Sequence, residues 1–279
     1  MTPALTRASS IAFAAALAAI TQSAAAGGFV SLPTTGDDIR VLGSNDPSID
    51  PIFLGSGWSP TGNGYTLVAS QGTPFTSIVD GDELEIGTFY DAVYRRTSDS
   101  TLMVASRLVL NVGAPGDDDD PLNQTEVNLI WRSGFTGYTT EVAWYRETSA
   151  DFRLQAAAST GNPISSNATN PSAKLPAAGN YDPDFVGFKT DTSVDEGNPL
   201  SAWYLVQTSA TNYTLLDDEV HIRESASTSE GRPQIDWLVA GFAPAAAVPE
   251  PSEYAILAAG LLGLGAALRR RQRNASAVA

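Results

Sequence analysis

Along the central two thirds of the chain, apolar positions recur mostly with a period of two. Residues 138–146 (YTTEVAWYR) set Val142 and Trp144 on one side, and residues 126–132 (EVNLIWR) do the same, less cleanly, with Val127, Leu129 and Trp131. That period belongs to a strand with one face buried. Residues 65–70, 84–95, 101–112, 185–190, 201–208, 220–223 and 235–242 are likewise rich in β-branched and aromatic residues and read as strands. Thr97-Ser98-Asp99-Ser100 suits a hairpin turn, Asp80-Gly81 a tight turn before a strand, and residues 132–137 (RSGFTG) a further connection. No window sustains apolar residues at helical spacing over three turns. The best helix candidate, residues 150–159, is short and alternates as well as it rotates. The expected fold class is all-β: antiparallel sheets packed face to face as a β-sandwich or jelly roll. The five tryptophans (Trp58, Trp131, Trp144, Trp203, Trp237) are expected to fill the layer between the sheets. Residues 113–123, 156–179 and 191–199 read as loops, and no internal repeat points to a propeller or solenoid.

The two ends break this pattern. Residues 11–20 (IAFAAALAAI) form an apolar run behind a single basic residue, Arg7, and Ala24 and Ala26 precede Gly27. This is the layout of a secretory signal peptide over residues 1–26, cut before Gly27. It implies the Sec translocon and signal peptidase as partners during export. The β-rich ectodomain is then residues 27–242, followed by a linker at residues 243–247 (APAAA).

At the other end stand Val248, Pro249, Glu250 and Pro251, an apolar stretch over residues 254–268, and then Arg269, Arg270, Arg271 and Arg273. The prolines hold the first part extended. The apolar stretch, about 22 Å long at ~1.5 Å per residue, is marginal for a ~30 Å hydrocarbon core. The arginines should stay cytoplasmic by the positive-inside rule. This order of parts is similar to the PEP-CTERM sorting signal, a resemblance confined to residues 248–273. A tail at residues 274–279 is longer than that pattern usually carries. The resemblance implies that residues 248–251 are the recognition motif, residues 254–268 a transient transmembrane helix and the arginines a stop-transfer cluster. It also implies that an exosortase, an integral-membrane transpeptidase, cuts near Pro-Glu-Pro, and that the source is a Gram-negative, exopolysaccharide-producing, biofilm-forming bacterium. The implied path runs from the inner membrane, with the ectodomain in the periplasm, to the cell surface or extracellular matrix. Leu32-Pro33-Thr34-Thr35-Gly36 matches a Gram-positive sorting pentapeptide, but no apolar span or basic tail follows it, so it is read as coincidence.

Composition narrows the chemistry. The chain has 279 residues, a formal net charge of −15, one histidine and no cysteine. A disulfide framework, a cysteine-ligated metal and a thiol nucleophile are excluded, as is a multi-histidine metal site within one chain. An acidic chain with scattered basic residues is a poor partner for nucleic acid. Asp117, Asp118, Asp119 and Asp120 offer the oxygen ligands Ca²⁺ prefers, but without the spacing of a calcium loop; a solvated turn is expected there and no cofactor is called for.

Three functional classes follow. The first is a secreted, non-catalytic structural or adhesive protein of the envelope or exopolysaccharide matrix. The second is a carbohydrate-binding module whose platform is Trp58, in the turn-like GSGWSP segment, with Tyr65. The third is a hydrolase using two carboxylates drawn from Asp91, Glu126, Glu141 and Asp236. His221 is not embedded in any nucleophile motif and is expected to be structural or exposed.

Overall fold

The structure is a computed structural model that describes residues 28–32, 40–42, 50–115, 120–147, 157–160, 182–224 and 234–246, with Leu261, Leu262 and Leu264. Among the described residues, twelve strands follow one another: β1 (Val30–Ser31), β2 (Arg40–Leu42), β3 (Tyr65–Val79), β4 (Asp82–Arg96), β5 (Leu102–Leu110), β6 (Glu126–Arg132), β7 (Thr140–Tyr145), β8 (Ala157–Thr160), β9 (Val186–Ser193), β10 (Trp203–Thr208), β11 (Asn212–Glu224) and β12 (Ile235–Ala245). They form two six-stranded sheets, ordered β1-β7-β10-β5-β4-β3 and β12-β11-β6-β9-β8-β2. Every ladder between named strands is antiparallel. The fold is therefore all-β and sandwich-like, as the period-two pattern predicts. The signal segment (1–26), the sorting motif (248–251) and the arginine cluster (269–273) lie outside the described residues.

One apolar core joins the sheets. Phe89, Leu108, Val142, Trp144, Tyr204 and Val206 of the first sheet meet Val127, Ile130, Val186, Ile222, Trp237 and Val239 of the second. Alternation decides which side chains enter it. In β10, Tyr204 and Val206 face the core while Trp203 and Leu205 belong to a separate cluster on the outward face. In β6, Ile130 faces in, and Leu129 and Trp131 face out. Only Trp144 and Trp237 therefore fill the inter-sheet layer; Trp58 and Trp203 pack on the outer face of the first sheet and Trp131 on that of the second. That corrects the expectation of five interlayer tryptophans, and the cause is phase. Each fully buried large apolar side chain contributes roughly 1.5–3 kcal/mol, so a frame that buries Ile130 and Tyr204 fixes where their neighbours point.

Polar contacts also clamp the sheets. Asp91 of β4 and Arg132 of β6 form an ion pair at 2.8 Å between the sheets, both almost fully buried. The backbone N–H of Phe242 in β12 donates to the same carboxylate at 2.8 Å, and Ser106 Oγ donates at 3.0 Å. At the edges, Gln71 of β3 donates to the Ala240 carbonyl of β12 at 2.9 Å, and Trp237 Nε1 donates to Ser77 Oγ at 2.9 Å.

Several boundaries differ from the sequence reading. Residues 157–160, expected within a helix candidate and a loop, form β8 against β9. β12 continues to Ala245, with Ala243, Pro244 and Ala245 opposite Thr214, Tyr213 and Asn212, so it takes in three residues of the expected linker. β9 continues through Asp191, Thr192 and Ser193, all buried, into the expected acidic loop. The Asp80-Gly81 turn joins β3 to β4 with φ of 54° and 96°, the twisted geometry that long hairpins favour. Residues 132–137 connect strands of different sheets rather than two neighbours.

Candidate functional site

The outward face of the first sheet carries a group of aromatic and charged side chains: Trp58, Tyr65, Tyr94, Tyr145 and Trp203 with Arg107 and Glu147. At the edge of that sheet, residues 52–54 run beside β7: Trp144 N–H donates to the Ile52 carbonyl and Leu54 N–H to the Trp144 carbonyl, each at 2.9 Å. Asp50, buried, holds that segment by accepting from Trp144 Nε1 at 3.0 Å and Ile52 N–H at 2.9 Å. Leu54 joins the outer cluster of Met103, Ala105, Ala143 and Leu205, and Trp58 packs against that cluster.

Trp58 is half-buried, its ring 5.1 Å from Tyr145 and 6.2 Å from Phe29. It seals the outer cluster. Tyr65 is 7 % exposed and its hydroxyl donates to Gln207 Oε1; burial raises its phenol pKa. Tyr65 therefore offers no open ring face, because both ends of the side chain are used inside the cluster. The expected Trp58–Tyr65 platform is a plug instead, with the two ring centroids 6.4 Å apart.

A row crosses the same face nearby. Tyr145 pairs with Trp203, and Tyr90 with both Arg107 and Gly72. Tyr145 and Trp203 stack nearly parallel, 8° apart at 6.3 Å, and the Arg107 guanidinium lies 5.9 Å from the Trp203 ring centre. Arg107 pairs with Glu147 at 2.7 Å. Arg107 Nε and Trp203 Nε1 are both buried without a hydrogen-bond partner among the described residues. Tyr94 also joins this cluster; burial raises its phenol pKa, and the nearby Glu147 charge adds to the shift. Tyr90 is 41 % exposed. Its ring lies over Gly72, where a Cβ would stand 3.2 Å from Tyr90 Cε1. This glycine and this ring were missed at the sequence level. Tyr90 reads there as one aromatic among several in LEIGTFYDAVYR, and only strand register reveals the glycine beside it.

The other candidates are scattered. Asp91 is in the interlayer ion pair, and Asp236 is bound to Arg223 at 2.5 Å on the second sheet. Glu141 accepts from Gln207 at 2.9 Å on the first sheet, and Glu126 accepts from Asn128 at the start of β6. Asp91 between the sheets, Glu141 on one outer face and Asp236 on the other do not face a common cleft.

His221 stacks on Trp131 at 4.8 Å and 22°, with Arg223 4.7 Å from the same indole. Burial lowers the His221 pKa, partly opposed by Asp236. Asp120 spends its two carboxylate oxygens on the N–H groups of Ala114 and Leu122, at 2.9 and 3.0 Å, which organises the turn; Asp117, Asp118 and Asp119 lie outside the described residues. A pocket of about 140 Å³ opens at one end of the interlayer, lined by Val79, Ile86, Gln124, Glu224, Ile235 and Trp237. It is smaller than the roughly 300–1,000 Å³ typical of ligand sites.

Comparison with known proteins returns no significant match: no family model, no curated protein and no solved structure.

Proposed function

We propose that the chain is an exported, exosortase-sorted protein of the envelope or exopolysaccharide matrix, with a non-catalytic, structural or adhesive β-sandwich ectodomain. The observation that carries this reading is the order Val248-Pro249-Glu250-Pro251, apolar residues 254–268 and four arginines within residues 269–273. The proline segment keeps the cleavage region extended. The marginal span holds the chain in the inner membrane long enough to be cut, and the arginines fix its orientation. A sandwich-like all-β body is compatible with that reading, since a structural or adhesive role asks for a stable packed scaffold. The net charge of −15 favours solubility outside the membrane.

The test replaces Pro249, Glu250 and Pro251 by alanine in the native host and follows the chain through cell fractions. Retention in the inner membrane is expected. Release to the surface or medium at the parent rate contradicts processing at this motif.

A further inference from the structure

We propose that the outer face of the first sheet around Tyr90 binds a neutral pyranose unit of a polysaccharide, with the sugar ring on Tyr90 and its hydroxyls at Arg107. The proposal rests on the adhesive reading for the source of the ligand, and it adds the ligand class and the site.

Three observations converge. Tyr90 is 41 % exposed and lies over Gly72, so the residue beneath it has no side chain to lift the ring off the sheet. The Cδ1–Cε1 side of the ring sits against Gly72, and the exposed remainder is open to a ligand. The electron-rich face of an aromatic ring attracts the weakly positive C–H groups of a sugar, for the same reason it attracts ring edges and cations.

Trp203 cannot take this role, because Tyr145 stacks on it from one neighbouring strand and Arg107 lies over it from the other. It serves as the backing that holds Arg107 beside Tyr90, its cross-strand partner.

Finally, Arg107 Nε and Trp203 Nε1 are two buried donors without acceptors among the described residues, within one small cluster. A buried donor left unpaired is costly, and hydroxyl oxygens are suitable acceptors. Glu147, whose side chain is 54 % exposed, pairs with Arg107 at 2.7 Å, so a sugar hydroxyl reaches the guanidinium by displacing this exposed partner. Charge selects among sugars. A chain of net charge −15, with Glu147 beside the site, repels uronates.

The experiment is affinity electrophoresis of the purified full chain in native gels containing dextran, galactomannan, mixed-linkage β-glucan or, as the anionic arm, alginate. At least one neutral polymer is expected to retard the parent and Tyr90→Trp. Tyr90→Ala is expected to weaken retention about tenfold, the scale of one lost ring contact. Arg107→Lys keeps the charge but loses the guanidinium fork and should also weaken it, so the test stands even if Tyr90→Ala does not fold; circular dichroism checks each variant. Retardation by alginate alone, by no neutral polymer, or equally for parent and folded Tyr90→Ala overturns the proposal. The gel assay uses purified protein, so its outcome is independent of whether the chain is sorted by exosortase.

Discussion

Replacing Asp91 by alanine removes the acceptor at the centre of the interlayer clamp. The carboxylate takes hydrogen bonds from Arg132 at 2.8 Å, Phe242 N–H at 2.8 Å and Ser106 Oγ at 3.0 Å. Arg132 is 3 % exposed, so the guanidinium left behind is a buried charge that keeps only the Phe242 carbonyl at 3.4 Å and the partial offset of the nearby Glu219 carboxyl. Breaking one side of a buried pair costs about 3–5 kcal/mol, and an abandoned neutral donor adds roughly 1–3 kcal/mol where water does not reach it. These overlap, and about 4 kcal/mol is expected. At a urea slope of ~3 kcal/mol per M, that is a fall in midpoint of more than about 1 M. The assay is urea unfolding followed by tryptophan fluorescence. Adding Arg132→Met to Asp91→Ala removes the stranded charge, so the double variant should lose at least ~1 kcal/mol less than the sum of the singles. A loss under ~1 kcal/mol for Asp91→Ala, or strict additivity, would refute the claim that this pair joins the sheets.

Two further outcomes follow from the same structure. His221 is the only histidine, and burial lowers its pKa in the fold. Its contribution is fully present above the unfolded value of ~6.5 and declines as pH falls below it, because the unfolded chain takes up the proton first. Urea midpoints from pH 8 to pH 5 should therefore fall more steeply for the parent than for His221→Gln, with Asp236, Asp218 and Arg223 present in both; equal slopes would contradict the lowered pKa. Gly87→Ala should cost about 1–3 kcal/mol, read as a lower melting temperature, because its Cβ would stand 2.4 Å from the Val109 carbonyl oxygen of the neighbouring strand; an unchanged melting temperature would count against that close approach.

Strands that bury one face were legible where the pattern is regular. β6 matches its predicted range from Glu126 to Arg132, and β10 lies within its own. Beyond Ser70 burial alternates along the edge strand β3, but the inward positions Gln71, Thr73 and Ser77 are polar, so no apolar period marks them in the sequence. The first half of β11 is hidden because its residues are exposed or half-exposed without alternation, and it pairs with β12 alone before the irregularity at Leu216. In β9 the opposite holds. Thr190, Asp191, Thr192 and Ser193 look like loop residues yet are buried, with Tyr204 donating to Thr190 at 2.7 Å and Thr190 bonded to Thr192 at 2.8 Å. A polar stretch can be interior when its hydrogen bonds are met there, and one of these partners, Tyr204, comes from a strand of the other sheet. β1, β2 and β8 span two to four residues, too few to show a period. The Trp58 segment was chosen for its turn-like sequence, but Asp50 and the 52–54 contacts with Trp144 draw it onto the sheet. Tyr90 emerged only with the register that sets it beside Gly72.

The central claim, that this is an exported ectodomain delivered by a removable sorting tail, is tested most directly by peptide mass spectrometry of the mature chain from fractionated native cells. The account predicts a first residue of Gly27, no peptide covering Arg269 to Arg273, and recovery from the envelope or matrix. Recovery from the cytosol with Met1 and the arginine cluster both present would contradict it.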